Sequence, residues 1–399
     1  MASVFGLISR VRKSFNPPEA KPLPDSKPLK FGVLGAAAIA PSALIAPAKS
    51  HPEAVVYAVA ARSKDRATTY ARKHGIEMVF GGPNGYQELI DDPEIDAIYN
   101  ALPNGLHYEW TMKALAAGKH VLLEKPASNT AEETRKMFEL AETKGLVLLE
   151  ATHYRFHPVA LRVKAIIESG ELGAVKSTST TMTVPSGTMK ADDIRFNYGL
   201  GGGALMDMGR MIFTQMQPCT LMNNLLSDYT INAMRYFAGA DPTSILSVEH
   251  ELRTPQIDRK TVAKFALPGS ITSTIVCDLS VPPTFKLIPA MLNFNAHIEC
   301  ERGEIKVTNY LIPTQYHSIT VTAGGKSRVE KAYTFPDLGE PWWTTYRYQL
   351  EAFVNKVKGR KPHTWISKED SIKNMEVIES VYAKSGLGSR PKSDYVPPN

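Results

Sequence analysis

The stretch LKFGVLGAAAIAPSALIAPAKSHPEAVVYAVAARSKDRA, residues 29–67, decides the fold. KFGVLG is an apolar run of strand length that stops at a glycine, AAAIAPSALIAPAKSH reads as a helix of small residues, and AVVYAVAAR is a second apolar run. Parallel neighbours need a crossover of about a dozen residues, so strand, glycine turn, helix and strand in that order open a parallel sheet. The alternation continues downstream. EIDAIYNAL (94–102), KHVLLEKP (119–126) and LVLLEAT (146–152) read as further strands, with HYEWTMKALAAG (107–118) as a helix between them. This spacing predicts a doubly wound parallel sheet, with a ligand crevice at the carboxyl ends of its strands.

At the first of those ends lies GAAAIA, residues 35–40. A dinucleotide turn wants small residues where the backbone approaches a pyrophosphate. Gly35 fills the first place, Ala37 the second and Ala40 the third, with Ile39 between them. Any tight strand–helix turn could share this pattern, but its place after the first strand points to a cofactor. The second strand then bears on which nicotinamide is bound. An NAD site usually ends it with a carboxylate for the adenosine ribose. Here it ends in Arg62, Ser63, Lys64 and Arg66, which favours the 2′-phosphate of NADP. The bland reading is four solvated loop residues, and use of NAD as well remains open.

A chain of 399 residues predicts two domains. Apolar residues make up 43% and charged residues 22%, the balance of an ordinary globular protein. The three cysteines, Cys219, Cys277 and Cys300, form no paired framework, and no histidine pair has metal-ligand spacing. The net charge of +6 is scattered among acidic neighbours, which argues against a nucleic-acid groove and suits an anionic small ligand. No apolar run approaches the ~18 residues of a membrane span, so no membrane partner is expected. Residues 1–29 stand apart: MASVFGLISRVRKSF reads as a short basic amphipathic helix, followed by a proline-rich linker. The expected location is cytoplasmic, with a mitochondrial leader as the alternative reading of the arm.

Two clusters follow adjacent strand ends. Leu102, Pro103, Asn104 and His107 lie in NALPNGLHYEW (100–110), and Glu124, Lys125 and Pro126 in LLEKPAS (122–128). With AAGKHVLLEKP, GELGAV, GGGALMDMG and ERGEI, these segments resemble the glucose–fructose oxidoreductase / inositol dehydrogenase / rhizopine catabolism (Gfo/Idh/MocA) family over about residues 31–391. The chain is most similar to its dimeric dihydrodiol dehydrogenases and NADP-dependent D-xylose 1-dehydrogenases. The resemblance implies an N-terminal Rossmann domain (30–152), a C-terminal α/β domain with a large open, mostly antiparallel sheet (153–391), a short tail (392–399) and a homodimer.

The second half supports this independently. Residues 174–184, 244–252, 261–267, 270–279, 293–300 and 303–309 are β-branched, alternating runs broken by Gly, Pro and Asp, as expected for strands of one sheet. TTYRYQLEAFVNKVKG (344–359) predicts a helix with Tyr346, Leu350, Phe353 and Val357 on one face, covering the crevice or a sheet.

Family members pass a hydride between a secondary alcohol, often a sugar or cyclic diol, and a nicotinamide. Loss of the hydroxyl proton then needs a base, and the developing oxyanion a cation. The resemblance places Lys125 there, with Glu124 and His107 on the cofactor side, although His107 also reads as a packing or capping group; Arg155, after a strand facing the cleft, reads as steadying substrate hydroxyls or the cofactor, or as packing the domains. A second catalytic group, a tyrosine, is implied four residues after the Asp of a GGGxLxDxGxY pattern. The Asp is Asp207, but four on stands Met211. The next tyrosine, Tyr229, opens YTINAMRYF, the sequence implied to follow the motif.

Residues 210–228 therefore divide the motif. They are a natural loop that displaces the tyrosine, an insert that leaves Tyr229 in place, or translated intron sequence. The last is favoured, because the codons of Arg210-Met211 can hold a splice donor and those of Ser227-Asp228 an acceptor. The leading expectation is an NADP-dependent oxidoreductase of sugars or diols, impaired in this chain by the insert. A catalytically silent cofactor-binding sensor is the alternative.

Overall fold

The computed structural model describes every residue except 1–3, 22, 25, 190–192, 207–228, 286–287 and 398–399. Asp207 and the whole of 210–228 thus lie outside the described residues. The chain divides into two compact units, one of residues 1–156, 342–372 and 392–399, the other of 157–341 and 373–391.

The first unit opens with α1 (Val4–Phe15), β1 (Leu29–Leu34), α2 (Ala46–Lys49) and β2 (Ala54–Ala61). It continues through α3 (Lys64–His74), β3 (Met78–Gly81), α4 (Gly85–Asp91), β4 (Ala97–Asn100), α5 (His107–Ala116), β5 (His120–Leu123), α6 (Ala131–Thr143) and β6 (Leu148–Glu150). Its described strands form a six-stranded, all-parallel sheet in the order β3-β2-β1-β4-β5-β6. The order reverses between β1 and β4, which is where an open α/β sheet leaves room for a ligand. Central strands are buried on both faces, which is why they read as continuous apolar runs: Phe31, Val33, Leu34, Ile98, Tyr99, Val121, Leu122 and Leu123 are all enclosed.

The helix expected directly after Gly35 starts later and less regularly. A widened turn over Pro41–Ile45, in which the Ala46 N–H donates to the Pro41 carbonyl, precedes α2. Pro47 has no N–H to continue an ordinary ladder, so the local hydrogen bonding shifts.

Two later segments complete this unit. Helix α9 (Thr345–Val357) sets Phe353 against Phe31 of β1 with ring centroids 5.7 Å apart, and its Arg347 pairs with Glu351 at 2.8 Å. The tail brings Tyr395 against Tyr108, and its Ser393 N–H donates to Glu133 at 2.6 Å. The proline-rich linker is fastened as well. Ala20 N–H donates to the Lys49 carbonyl at 2.9 Å, and Lys358 donates to Ser26 Oγ and the Lys27 carbonyl at 2.7 and 3.0 Å. Hydrogen bonds from Arg360, Ser26 and Lys358 hold the Glu53 carboxyl down to about 2, against the opposing effect of burial.

The second unit contains α7 (Pro158–Glu168), β7 (Val175–Pro185), α8 (Tyr229–Ala238), β8 (Ser244–Thr254), β9 (Ile257–Leu267), β10 (Ile271–Val281), β11 (Asn293–Cys300), β12 (Gly303–Thr308), β13 (Ser318–Ala323) and β14 (Lys326–Glu330). Helix α10 (Lys368–Ser385) starts in the first unit and ends in the second. The described strands form an eight-stranded sheet, β14-β13-β12-β11-β7-β10-β9-β8, antiparallel except for the β7–β10 pair. Strand β7 shows why its sequence alternates. Thr178, Thr180, Met182 and Val184 are buried, and Thr180 Oγ1 donates to the Thr230 carbonyl of α8 at 2.9 Å. The residues between them face the other side.

Candidate active site

At the end of β1, Gly35 adopts φ +90°, and a Cβ there would stand 3.2 Å from Leu102 Cδ2. Only glycine takes this conformation without strain, so the turn passes close against the residues that follow β4. Helix α3 secures the next two residues. Arg66 Nη2 donates to the Ala36 carbonyl at 3.3 Å, and the Tyr70 hydroxyl donates to the Ala37 carbonyl at 2.8 Å. Burial raises the Tyr70 phenol well above its ordinary value, so it stays a donor. Ala40 is buried, while Ala37 and Ile39 are half-buried.

Beyond β2, Arg62, Ser63 and Arg66 are exposed. Ser63 caps α3, its Oγ accepting from the Arg66 N–H at 3.3 Å. Lys64 reaches away to the Val79 carbonyl at 2.6 Å. No carboxylate stands at Arg62 or Ser63, where one would repel a 2′-phosphate.

After β4, Leu102 and Asn104 are buried and Pro103 half-buried. His107, fully buried at the start of α5, faces two carbonyls: Nδ1 lies 2.8 Å from that of Pro126 and Nε2 2.8 Å from that of Leu102. A neutral ring donates to one of these carbonyls and a doubly protonated ring to both. His107 thus ties the segment after β4 to the segment after β5.

Lys125 follows β5 and is only 2% exposed; the Lys125–Pro126 bond is cis. From β6, Glu150 Oε1 accepts the Ala127 N–H at 2.8 Å, bracing the far side of the segment. Glu124, also buried, accepts a hydrogen bond from the Tyr99 hydroxyl. Burial, then the charge of Glu124, pushes the Tyr99 and Tyr346 phenols well up. His153, whose ring centroid is 4.0 Å from that of Tyr346, is held well below its usual value by burial and by the Lys125 ammonium. Two neutral phenols and a neutral imidazole therefore stand near Lys125. Arg155 pairs with Asp370 at 2.8 Å. Tyr70, Tyr99, Glu150 and Tyr346 are absent from the sequence-derived set. Two of these are visible in the sequence: Glu150 closes the strand LVLLE, and Tyr346 stands on the helix read as covering the crevice or a sheet.

In the second unit, Tyr229 opens α8 and is fully buried. The glycine turn that leads toward Asp207 is fastened by residues far away in sequence. Asp258 Oδ1 accepts from the Tyr382 hydroxyl at 2.9 Å and from Arg390 Nη2 at 3.1 Å. Its Oδ2 accepts from the Leu205 N–H at 3.0 Å and from Thr261 Oγ1 at 2.8 Å, while Arg390 Nε donates to the Gly202 carbonyl at 2.7 Å. Gly203, at φ +138°, is enclosed so tightly that a Cβ would fall 2.4 Å from Asp258 Oδ1. Asp258 and Arg390 are both fully buried, so removing one leaves the other uncompensated. Asp258→Ala is expected to cost about 3–5 kcal/mol, lowering the unfolding midpoint by roughly 6–20 °C. Calorimetry checks this, and the double variant Asp258→Ala/Arg390→Met should recover part of the loss.

Comparison with known proteins agrees with this architecture. A family model described as "Oxidoreductase family, NAD-binding Rossmann fold" matches residues 29–152, and a "GFO/IDH/MocA C-terminal domain" model matches 160–220. The chain is 30% identical over 369 residues to D-xylose 1-dehydrogenase (NADP(+)) 2 of Haloferax volcanii, covering 92% of this chain and 100% of that protein. It is 30% identical to human trans-1,2-dihydrobenzene-1,2-diol dehydrogenase over 64% of this chain and 66% of that one. The crystal structure of KijD10, a 3-ketoreductase from Actinomadura kijaniata, shares the fold with a TM-score of 0.73 at 24% identity, over 93% of this chain and 100% of that one. With its parallel nucleotide-binding sheet and its large, mostly antiparallel second sheet, the chain belongs to the Gfo/Idh/MocA family of oxidoreductases.

Proposed function

We propose that this protein is an NADP-dependent dehydrogenase that oxidises a CH–OH group of a sugar or cyclic diol, with D-xylose C1 as the model position. The observation that carries the reading is Lys125: a buried ammonium at the carboxyl edge of the sheet, on a segment braced by Glu150 and His107. The Gly35 turn fits a dinucleotide, since its backbone is open where a side chain would intrude and two of its carbonyls are fixed by Arg66 and Tyr70. Gly35, Ala37, Ile39, Ala40, Leu102, Pro103 and Asn104 would line the cofactor, with Arg62, Ser63 and Arg66 on the 2′-phosphate. The bound nicotinamide supplies a hydride acceptor.

This chain's own groups manage the proton. Lys125 Nζ donates a hydrogen bond to the substrate oxygen and stabilises the charge that grows there as the hydride leaves. The hydroxyl proton passes to Tyr229 in its phenolate form, which becomes the neutral phenol as the hydride leaves, and Asp207 orients the group beside it. His153, held neutral, adds no second cation beside Lys125, and the neutral Tyr99 and Tyr346 phenols add no anion. The substrate domain and the homodimer follow from similarity to the family, and the location is cytoplasmic on the sequence reading alone. The silent-sensor alternative has no observation in its favour.

Initial rates with NADP and NAD against pentoses, hexoses and trans-diols test the reading. NADP should be preferred. A charge-assisted hydrogen bond contributes about 1.5–3 kcal/mol, so Arg62→Ala/Arg66→Ala should lower kcat/KM for NADP by roughly 100-fold or more while changing that for NAD only a few-fold. Loss of both cofactors in parallel would count against these residues as the 2′-phosphate site.

A further inference from the structure

Helix α1 has no part in the chemistry above. Its twelve residues, VFGLISRVRKSF, include Arg10, Arg12 and Lys13 and no acid. Ile8, Val11 and Phe15 recur at three- and four-residue intervals, with Leu7 beside them. Phe5 is 81% and Ile8 57% exposed, and Leu7 and Phe15 are exposed as well. The chain is fastened to the first unit at Ala20 and again at Ser26 and Lys27, so the helix is carried on an anchored, proline-rich strap.

We propose that α1 docks this protein on an anionic lipid surface, with the apolar side in the headgroup boundary and the exposed Arg12 and Lys13 on lipid phosphates. A 12-residue helix is about 18 Å long, too short for a hydrocarbon core of about 30 Å. It can lie in the interface, where exposed aromatic and aliphatic side chains and basic flanks act together. The expectation of no membrane partner came from the lack of a spanning run, which a surface helix does not need; among the described residues no helix is long and apolar enough to cross. A protein groove takes a narrow stripe, whereas Leu7, the half-buried Val11, Phe15, Ile8 and Phe5 cover an arc of about 160° at helical spacing, with Arg12 just inside its Phe5 edge. Charge and breadth both favour lipid.

Co-sedimentation of the full chain with phosphatidylcholine vesicles, with and without phosphatidylserine, tests this. Binding is expected only with phosphatidylserine and should fall several-fold when salt rises from about 50 to about 500 mM. Each cation near the surface is worth about fivefold in partition, so Arg12→Gln/Lys13→Gln should weaken binding roughly 25-fold. Phe5→Ser/Ile8→Ser should abolish it, with an unchanged unfolding midpoint showing that the body is intact. Four results would overturn the proposal. They are no sedimentation with phosphatidylserine, equal sedimentation with pure phosphatidylcholine, removal of α1 on mitochondrial import, and a Phe5→Ser/Ile8→Ser effect on oligomeric state alone.

Discussion

Lys125→Met is expected to lower kcat by roughly 100- to 1,000-fold, the cost of removing one preorganised donor from a developing oxyanion, with little change in NADP affinity. Methionine preserves much of the length and packing of the buried stem, so the variant removes a cation and its protons more than it removes volume. Its surroundings are built to hold that cation. His107 and Glu150 brace the two residues that follow it, Pro126 and Ala127, and Tyr99 is bonded to the neighbouring Glu124. Lys125→Arg separates two contributions. Arginine keeps the charge but spreads it over a planar fork, so a partial rescue measures charge stabilisation and the remaining deficit measures the placing of the Nζ hydrogen bond. Stopped-flow and steady-state rates, with cofactor titration by fluorescence quenching, provide the readouts. A Lys125→Met enzyme within about tenfold of the parent would remove Lys125 from the chemistry.

Much of the architecture is legible in the sequence, for reasons that particular residues show. Strands β1, β2, β4, β5 and β6 are enclosed by helices, so they appear as short apolar runs ending in glycine or polar residues. Those of the second sheet are covered on one face, so β7 and β11 alternate. β3 escapes because MVFG is an edge strand, half-buried throughout, and carries no enclosed apolar run. β14 escapes because KSRVE is charged and exposed, although the Gly324-Gly325 pair before it is an ordinary hairpin signal. The candidate site divides in the same way. Gly35, Lys125 and the basic residues after β2 lie at strand ends and can be found by counting along the chain. The supports of Gly203 cannot, because Asp258 and Arg390 are 132 residues apart. Nor does local sequence show that residues 342–372 return to the first unit, since an amphipathic helix such as α9 specifies a face to bury and no partner.

Replacing residues 210–228 with a single histidine is expected to raise turnover by about 100-fold or more, the cost associated with misplacing a catalytic group by roughly 1 Å. The described flanks are two fixed points. Before the segment, Ala204 and Leu205 donate their backbone N–H groups to Asp258 at 2.9 and 3.0 Å, and Met206 is fully buried. After it, Tyr229 is buried at the head of α8, whose Thr230 bonds Thr180 and Cys277 of the second sheet. Twenty-two residues, 207–228, join these points in the given chain, and four would join them in the shortened one. Closing the shorter connection costs about 1.5 kcal/mol less entropy, so the shortened protein should unfold a few degrees higher as well as turn over faster. The Lys125 variants belong in whichever chain gives measurable rates. Within the shortened chain, Tyr229→Phe should return activity to the level of the given one, because it removes the hydroxyl that the four-residue spacing restores. Equal activity of both chains, or full activity of Tyr229→Phe, would detach Tyr229 from the reaction. A transcript that keeps the codons for 210–228 would assign the segment to the mature protein, and the rate difference would then measure its effect on the enzyme the cell makes.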